Sequence, residues 1–157
     1  TGTRAYAKWW KPDHQPRRTR RGANMGDDLI FRDEAYRIVG ACLAVHQDKG
    51  NGYVEPVYQD CLEIELAARS IPFDAQRSFP IQYRGRTLRH SYVPDLVCFD
   101  QIVVELKAVK ALVDEHRAQV LNYLKVTGLQ LGLLVNFGSH PRLEWERIVL
   151  TAAKPSR

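Results

Sequence analysis

The sequence predicts an α/β fold in which a mixed central sheet is flanked by helices, and three observations carry that prediction. Apolar residues recur every three to four positions before residue 70 and again after residue 114. They alternate with period two between residues 79 and 107, and a short continuous apolar run follows the last helical stretch. Helices placed before and after a run of strands bury their apolar stripes by covering the faces of one sheet, in a two-layer or three-layer arrangement.

Over residues 31–47, Phe31, Ala35, Ile38, Val39, Cys42 and Val45 fall on one side of a helix. Gly50 and Gly52 end it. A second helix is expected from Glu55, with Pro56 in the first turn, where its missing N–H has no intrahelical partner to lose. Val57, Cys61, Ile64 and Ala68 form its stripe. Past Ile71-Pro72, Phe79, Ile81 and Tyr83 alternate with Pro80, Gln82 and Arg84, Gly85 marks a turn, and residues 87–93 return as the second strand of a hairpin. A second hairpin is expected between residues 94–99 and 102–107, turning at Asp100-Gln101. Residues 115–127 read as a helix stopped by Gly128, and residues 131–137 as a buried strand. Leu143, Trp145 and residues 148–150 suggest one more short strand. The expected order is therefore two helices, a β-meander, a helix, and a final strand or two.

With 157 residues, the chain has length for one domain with a single core. Its net charge of +5 is unevenly spread. Residues 1–24 carry seven Lys or Arg and one acid, whereas residues 25–157 carry 16 basic and 17 acidic side chains. Residues 1–28 are accordingly expected to be a flexible basic arm, of which 1–24 read as an upstream or truncated stretch outside the native domain. Residues 29–150 are expected to be the folded domain, and 151–157 a C-terminal tail. Within the domain only Arg84, Arg86 and Arg89, with His90 and Arg77 nearby, form a local basic cluster able to face nucleic-acid phosphates.

Cys42, Cys61 and Cys98 lack the close spacing of a zinc site or redox pair and are expected as free thiols of a cytoplasmic protein. No apolar run approaches the roughly 20 residues that cross a bilayer, so no membrane association is expected. His46, His116 and His140 have no metal-ligand spacing and read as surface or helix-end residues.

The chemistry is concentrated in the second hairpin. Side chains alternate faces along a strand, so Glu105 and Lys107 point the same way and Leu106 the other. A tight turn at Asp100-Gln101 pairs positions whose numbers sum to about 201, which sets Asp95 across from Glu105 or Leu106. Two carboxylates that close repel unless a cation lies between them. An oxygen-only pair suits Mg²⁺, with Mn²⁺ as a substitute, and leaves room for waters and phosphate oxygens. Lys107 adds a fixed positive charge where a phosphate would gain negative charge.

Pro94-Asp95 followed by Glu105-Leu106-Lys107, across a hairpin and ahead of a helix, resembles the Pro-Asp…Asp/Glu-x-Lys core of the PD-(D/E)XK nuclease superfamily. The segment Gly52-Tyr53-Val54-Glu55-Pro56-Val57-Tyr58 is similar to the Gly-x-x-Glu-x-x-Tyr signature of the GxxExxY protein family, a branch of that superfamily. The element Gln119-Val120-Leu121-Asn122-Tyr123 looks like the Gln-x-x-x-Tyr element of RecB-like nucleases, and together these motifs extend the resemblance over residues 31–150.

The resemblance implies a restriction-endonuclease-like core and a metal-dependent nuclease acting on DNA or RNA, with DNA the expected partner. It further implies that Asp95 and Glu105 bind Mg²⁺ together with the Leu106 carbonyl, and that Glu55 reaches the metal directly or through water. Lys107 would serve the attacking water, and Gln119 and Tyr123 would steady Lys107 or contact phosphate. Cutting both strands of a duplex would favour a two-fold homodimer. Against this stands a nucleic-acid-binding or protein-interaction module on a nuclease fold that no longer turns over.

Overall fold

A computed structural model describes residues 30–151. The expected basic arm, and the expected tail beyond Thr151, lie outside the described residues. The elements are α1 (Arg32–Lys49), α2 (Glu55–Ala68), β1 (Phe73–Asp74), β2 (Phe79–Tyr83), β3 (Arg86–Tyr92), β4 (Leu96–Cys98), β5 (Ile102–Lys107), α3 (Asp114–Thr127), β6 (Leu131–Asn136) and β7 (Glu144–Val149). Five strands form the central sheet in the order β1-β4-β5-β6-β7. Only β5 and β6 run parallel, because α3 carries the chain back between them, so the sheet is mixed as expected.

Alternation along β5 sorts its side chains between two cores. Ile102, Val104 and Leu106 pack with Ile38 and Cys42 of α1 and with Leu62 and Leu66 of α2. Val103 packs with Val120 and Leu124 of α3 and with Leu134 of β6. Glu105 and Lys107, having the parity of Val103, therefore belong to the α3 side. β6 is buried at every position, which is why it reads as an unbroken apolar run rather than an alternating one. At Gly132 a Cβ would stand 2.6 Å from Val120 Cγ1, so glycine allows α3 to lie this close to the sheet.

The expected meander is interrupted. β2 and β3 form a separate two-stranded sheet, and the short β1 takes the place beside β4. Composition explains the separation. Residues 86–91 are exposed on both faces and supply little to bury, so β3 cannot occupy a sheet covered by helices on both sides. Only the root of the hairpin is buried, where Phe79 and Tyr92 pack with Val97 and against Tyr123, Val126 and Leu129.

The β4–β5 connection also differs from the expected two-residue turn. Cys98 pairs with Ile102, Gln101 N–H donates to Cys98 O at 3.1 Å, and Phe99 and Asp100 adopt φ of 54° and 58°. Partners therefore sum to 200 rather than 201, which sets Asp95 opposite Glu105 and not Leu106. Cys42, Cys61 and Cys98 are free thiols, the first and last buried. His46 does sit in the last turn of α1, yet it is buried, with Nε2 2.9 Å from Ser139 O, and is no surface residue. Among the described residues no helix is long and apolar enough to cross a membrane.

Candidate active site

Two strands, a helix start and a helix face converge at the end of β5. Asp95 lies one residue before β4, and its Oδ2 accepts a hydrogen bond from Leu106 N–H at 2.8 Å. That bond ties the Asp95 carboxylate to the middle of the Glu-Leu-Lys motif. Glu105 is 6% exposed, and its Oε1 accepts a hydrogen bond from the Tyr92 hydroxyl. Leu106 is wholly buried on the opposite face, as alternation requires.

Lys107 Nζ donates to Gln119 Oε1 at 3.2 Å, and Gln119 Nε2 in turn donates to the Tyr123 hydroxyl. Tyr123 stacks on Tyr92 with ring centroids 3.5 Å apart. Both ends of the Glu-Leu-Lys motif are thus joined by one polar and aromatic chain, Glu105 to Tyr92 to Tyr123 to Gln119 to Lys107. Spacing on α3 makes this connection: Gln119 and Tyr123 are four residues apart and share a face, while Val120 and Leu124 hold that helix on the sheet. Tyr92 was not visible as a site residue in the sequence. Its only signal was its place as a large aromatic at the end of a strand alternating with exposed polar positions.

Glu55 opens α2, and the Gly-x-x-Glu-x-x-Tyr segment explains how it is aimed. Gly52 takes φ 114°, a conformation that residues with a Cβ rarely adopt. Tyr58 is wholly buried and stacks on Phe137 at 4.8 Å. Its hydroxyl donates to Gly50 O at 2.7 Å and accepts from Tyr53 N–H at 3.2 Å, pinning both ends of the loop that leads into Glu55. Gln59, one turn further along α2, donates to Asp95 O at 3.2 Å and fixes the helix against β4. Past Lys107 the backbone is held by buried Asn136, whose Oδ1 accepts from Val109 N–H at 3.0 Å and whose Nδ2 donates to Val109 O at 2.9 Å.

Electrostatics show how closely the charges are set. Burial, and then the neighbouring Asp95, push the Glu105 carboxyl up to about 8, against the opposing pull of Tyr92 and Lys107. Burial and Asp95 also raise Glu55, while Lys107 lowers it, so Glu55 feels both groups. Tyr92 is raised by burial and then by Glu105, which keeps its hydroxyl a proton donor.

The donor set fits a hard divalent cation: facing carboxylates that resist joint ionisation until a positive charge balances them, with Lys107 alongside. Among the described residues no group of three or more His, Cys, Asp or Glu side chains is gathered as a ready metal cage, and Glu55 is close enough to Asp95 and Lys107 to feel both charges. Arg84, Arg86 and Arg89 lie away from this cluster, exposed on the β2–β3 hairpin, with Arg84 over the Tyr83 ring at 5.8 Å.

Fold and site together define a class: a mixed-sheet α/β domain bearing a Pro-Asp and Glu-x-Lys cluster on paired strands. Comparison with known families makes it specific. Residues 32–148 match the model of the PD-(D/E)XK nuclease superfamily, and the chain belongs to that superfamily. The fold is accordingly restriction-endonuclease-like. Among solved structures, the crystal structure of SSO0001 is similar at 16% identity and a TM-score of 0.50, covering 80% of this chain, and the chain spans 63% of that protein's length. No curated protein shows a significant sequence match.

Proposed function

We propose that this chain is a metal-dependent nuclease that hydrolyses phosphodiester bonds of DNA. The observation that carries the reading is Asp95 facing Glu105 across β4 and β5, with Lys107 two residues on and on the same face. Asp95 and Glu105 would hold Mg²⁺, or Mn²⁺ in its place, with the Leu106 carbonyl as a further ligand and Glu55 acting directly or through water. When bound, such an ion polarises phosphate oxygens and lowers the pKa of water.

The chain's own residues supply orientation and charge. Lys107, steadied by Gln119, sets a positive charge beside the scissile phosphate and hydrogen-bonds the attacking water. Tyr123, half-buried, holds the far side of Gln119 and would contact substrate phosphate in this reading. Arg84, Arg86 and Arg89 are the nucleic-acid contacts outside the cluster. Within the superfamily, residues 52–58 support placement in the GxxExxY family, and Gln119 with Tyr123 supports a RecB-like relationship. Residues 29–150 form the catalytic unit in this reading, free thiols fit a reducing cytoplasm, and cutting both strands calls for a two-fold dimer.

Purified protein incubated with single-stranded, duplex and branched DNA, and with RNA, should cleave DNA in Mg²⁺ or Mn²⁺ and not in EDTA. Cleavage that survives Asp95→Ala or Lys107→Ala overturns the assignment. A second reading is a nucleic-acid-binding or protein-interaction module on the same fold that no longer turns over, since fold alone does not fix activity. It predicts equal nucleic-acid binding with and without EDTA and no heat of metal binding by calorimetry.

A further inference from the structure

The β2–β3 hairpin is built unlike the rest of the domain. Residues 75–94 contain four arginines and His90 and no acidic side chain. Across the described residues 30–151 there are 14 basic and 15 acidic side chains, so the hairpin is a cationic projection on an otherwise acidic body. Residues 82–91 are all exposed, on both faces of both strands. Tyr83 and Leu88 are the large apolar side chains among them, so folding leaves both faces of the ribbon in solvent where a hairpin stabilised by its own domain would bury one.

From these features we infer that the β2–β3 ribbon is a groove-entering arm that selects B-form duplex DNA for the site at its root. The inference rests on the nuclease reading for its substrate and adds the form of that substrate.

Dimensions, charge and shape all favour this occupant. Two strands lie about 4.8 Å apart, and six exposed residues of β3 extend roughly 20 Å. The major groove of B-form DNA, about 12 Å wide, admits a two-stranded ribbon. The A-form major groove of duplex RNA is too deep and narrow for side chains to read. Twist is supplied by a bulge: Pro80 pairs with Ser91 and Gln82 with Thr87, so Leu88, Arg89 and His90 stand against Ile81 alone. A single-strand platform would instead need successive exposed aromatic rings along one face, whereas the ribbon's exposed rings are Tyr83, with Arg84 placed over it, and His90 on the other strand. At the root, Tyr92 touches Glu105, so one side chain joins the ribbon to the acidic cluster.

The test uses the full chain in EDTA and compares a short mixed-sequence DNA duplex, its single strand, and an RNA duplex of the same sequence by fluorescence anisotropy. Residues 1–24 are strongly basic and attract any polyanion, so the readout is the duplex-to-single-strand affinity ratio. Wild type should prefer duplex DNA by about tenfold or more, and R86E/R89E should bring the ratio near one with an unchanged thermal midpoint. Loss of two phosphate contacts should also make the salt slope shallower by about 1.8. Dimethyl sulfate footprinting should show guanine N7 protection, a major-groove signal that R86E/R89E removes.

Equal binding of single strands, preference for duplex RNA, absent N7 protection, or a wild-type ratio in R86E/R89E overturns the inference. Cleavage assays run in parallel separate it from the nuclease reading. Metal-dependent cleavage without duplex preference removes the arm and keeps the nuclease. Duplex preference that depends on Arg86 and Arg89, with no cleavage in any metal, does the reverse.

Discussion

The Tyr92 hydroxyl, at the last residue of β3, donates a hydrogen bond to Glu105 Oε1 while its ring stacks on Tyr123. One side chain thus links the exposed hairpin, the acidic pair and the α3 face. Tyr92→Phe keeps the ring and removes only the donor. A hydrogen bond to a buried carboxyl is worth roughly 1–3 kcal/mol when its partner is lost. Stability should fall by that order in thermal unfolding, and cleavage by about tenfold or more, the equivalent of roughly 1.4 kcal/mol in barrier. Wild-type cleavage and Mn²⁺ affinity in Tyr92→Phe would show that the contact is incidental.

Glu105 gives the domain a pH dependence of definite sign. Its carboxyl is pushed from 4.5 to about 8, mainly by burial and then by Asp95, so the folded state holds the proton more tightly than the unfolded chain. The stabilisation from that proton is fully present below 4.5 and is lost as pH rises through about 8. In EDTA, Glu105→Gln should therefore gain stability over wild type as pH rises, on the order of 1 kcal/mol or more at the alkaline end. Mg²⁺ added to wild type should offset the same loss. Denaturant unfolding across this range is the measurement, and a wild type minus Glu105→Gln difference that stays flat with pH contradicts it.

Gln119 links Lys107 to Tyr123. Gln119→Ala frees the ammonium to sample other rotamers, while α3 stays packed through Val120 and Leu124. Cleavage should fall by about tenfold to a hundredfold in kcat with KM little changed, because orientation rather than binding is lost. Stability should change by less than about 1 kcal/mol, as expected for a partly exposed hydrogen bond. Gln119→Glu, which keeps the acceptor, should retain more activity than Gln119→Ala. An unchanged kcat in Gln119→Ala argues against the positioning role.

Tyr58→Phe separates the two functions of the Gly-x-x-Glu-x-x-Tyr segment. The ring still stacks on Phe137, but Gly50 O and Tyr53 N–H lose their shared partner. Destabilisation of about 1–3 kcal/mol is expected. Hydrogen exchange should quicken in residues 50–55 while β5 and β6 stay protected. Uniform loss of protection across the sheet would instead mark Tyr58 as a general core residue.

Much of the fold was legible because local periodicity reports it directly. Alternation over residues 102–107 separated Ile102, Val104 and Leu106 from Glu105 and Lys107 without any knowledge of partners. The parting of β3 from β4 was not legible. Period two says that a strand exists, whereas its neighbour depends on which faces the helices cover, and the two-residue β1 that won the place beside β4 is too short to carry a period. The register uncertainty at Asp95 had a similar origin. It turned on left-handed backbone at Phe99 and Asp100, where sequence offered no glycine to announce it.

By itself, the sequence determined which residues share a face and which motifs occur in order: Glu55, then Asp95, then Glu105 and Lys107, then Gln119 and Tyr123. Tertiary structure alone decided that Asp95 bonds the Leu106 amide, that Tyr92 holds Glu105, and that Tyr123 closes the chain back to Lys107 through Gln119. The reason is range. Face and order follow from the repeat of a single element, whereas these contacts join β3, β5 and α3, whose meeting depends on how the cores on both sides of the sheet pack.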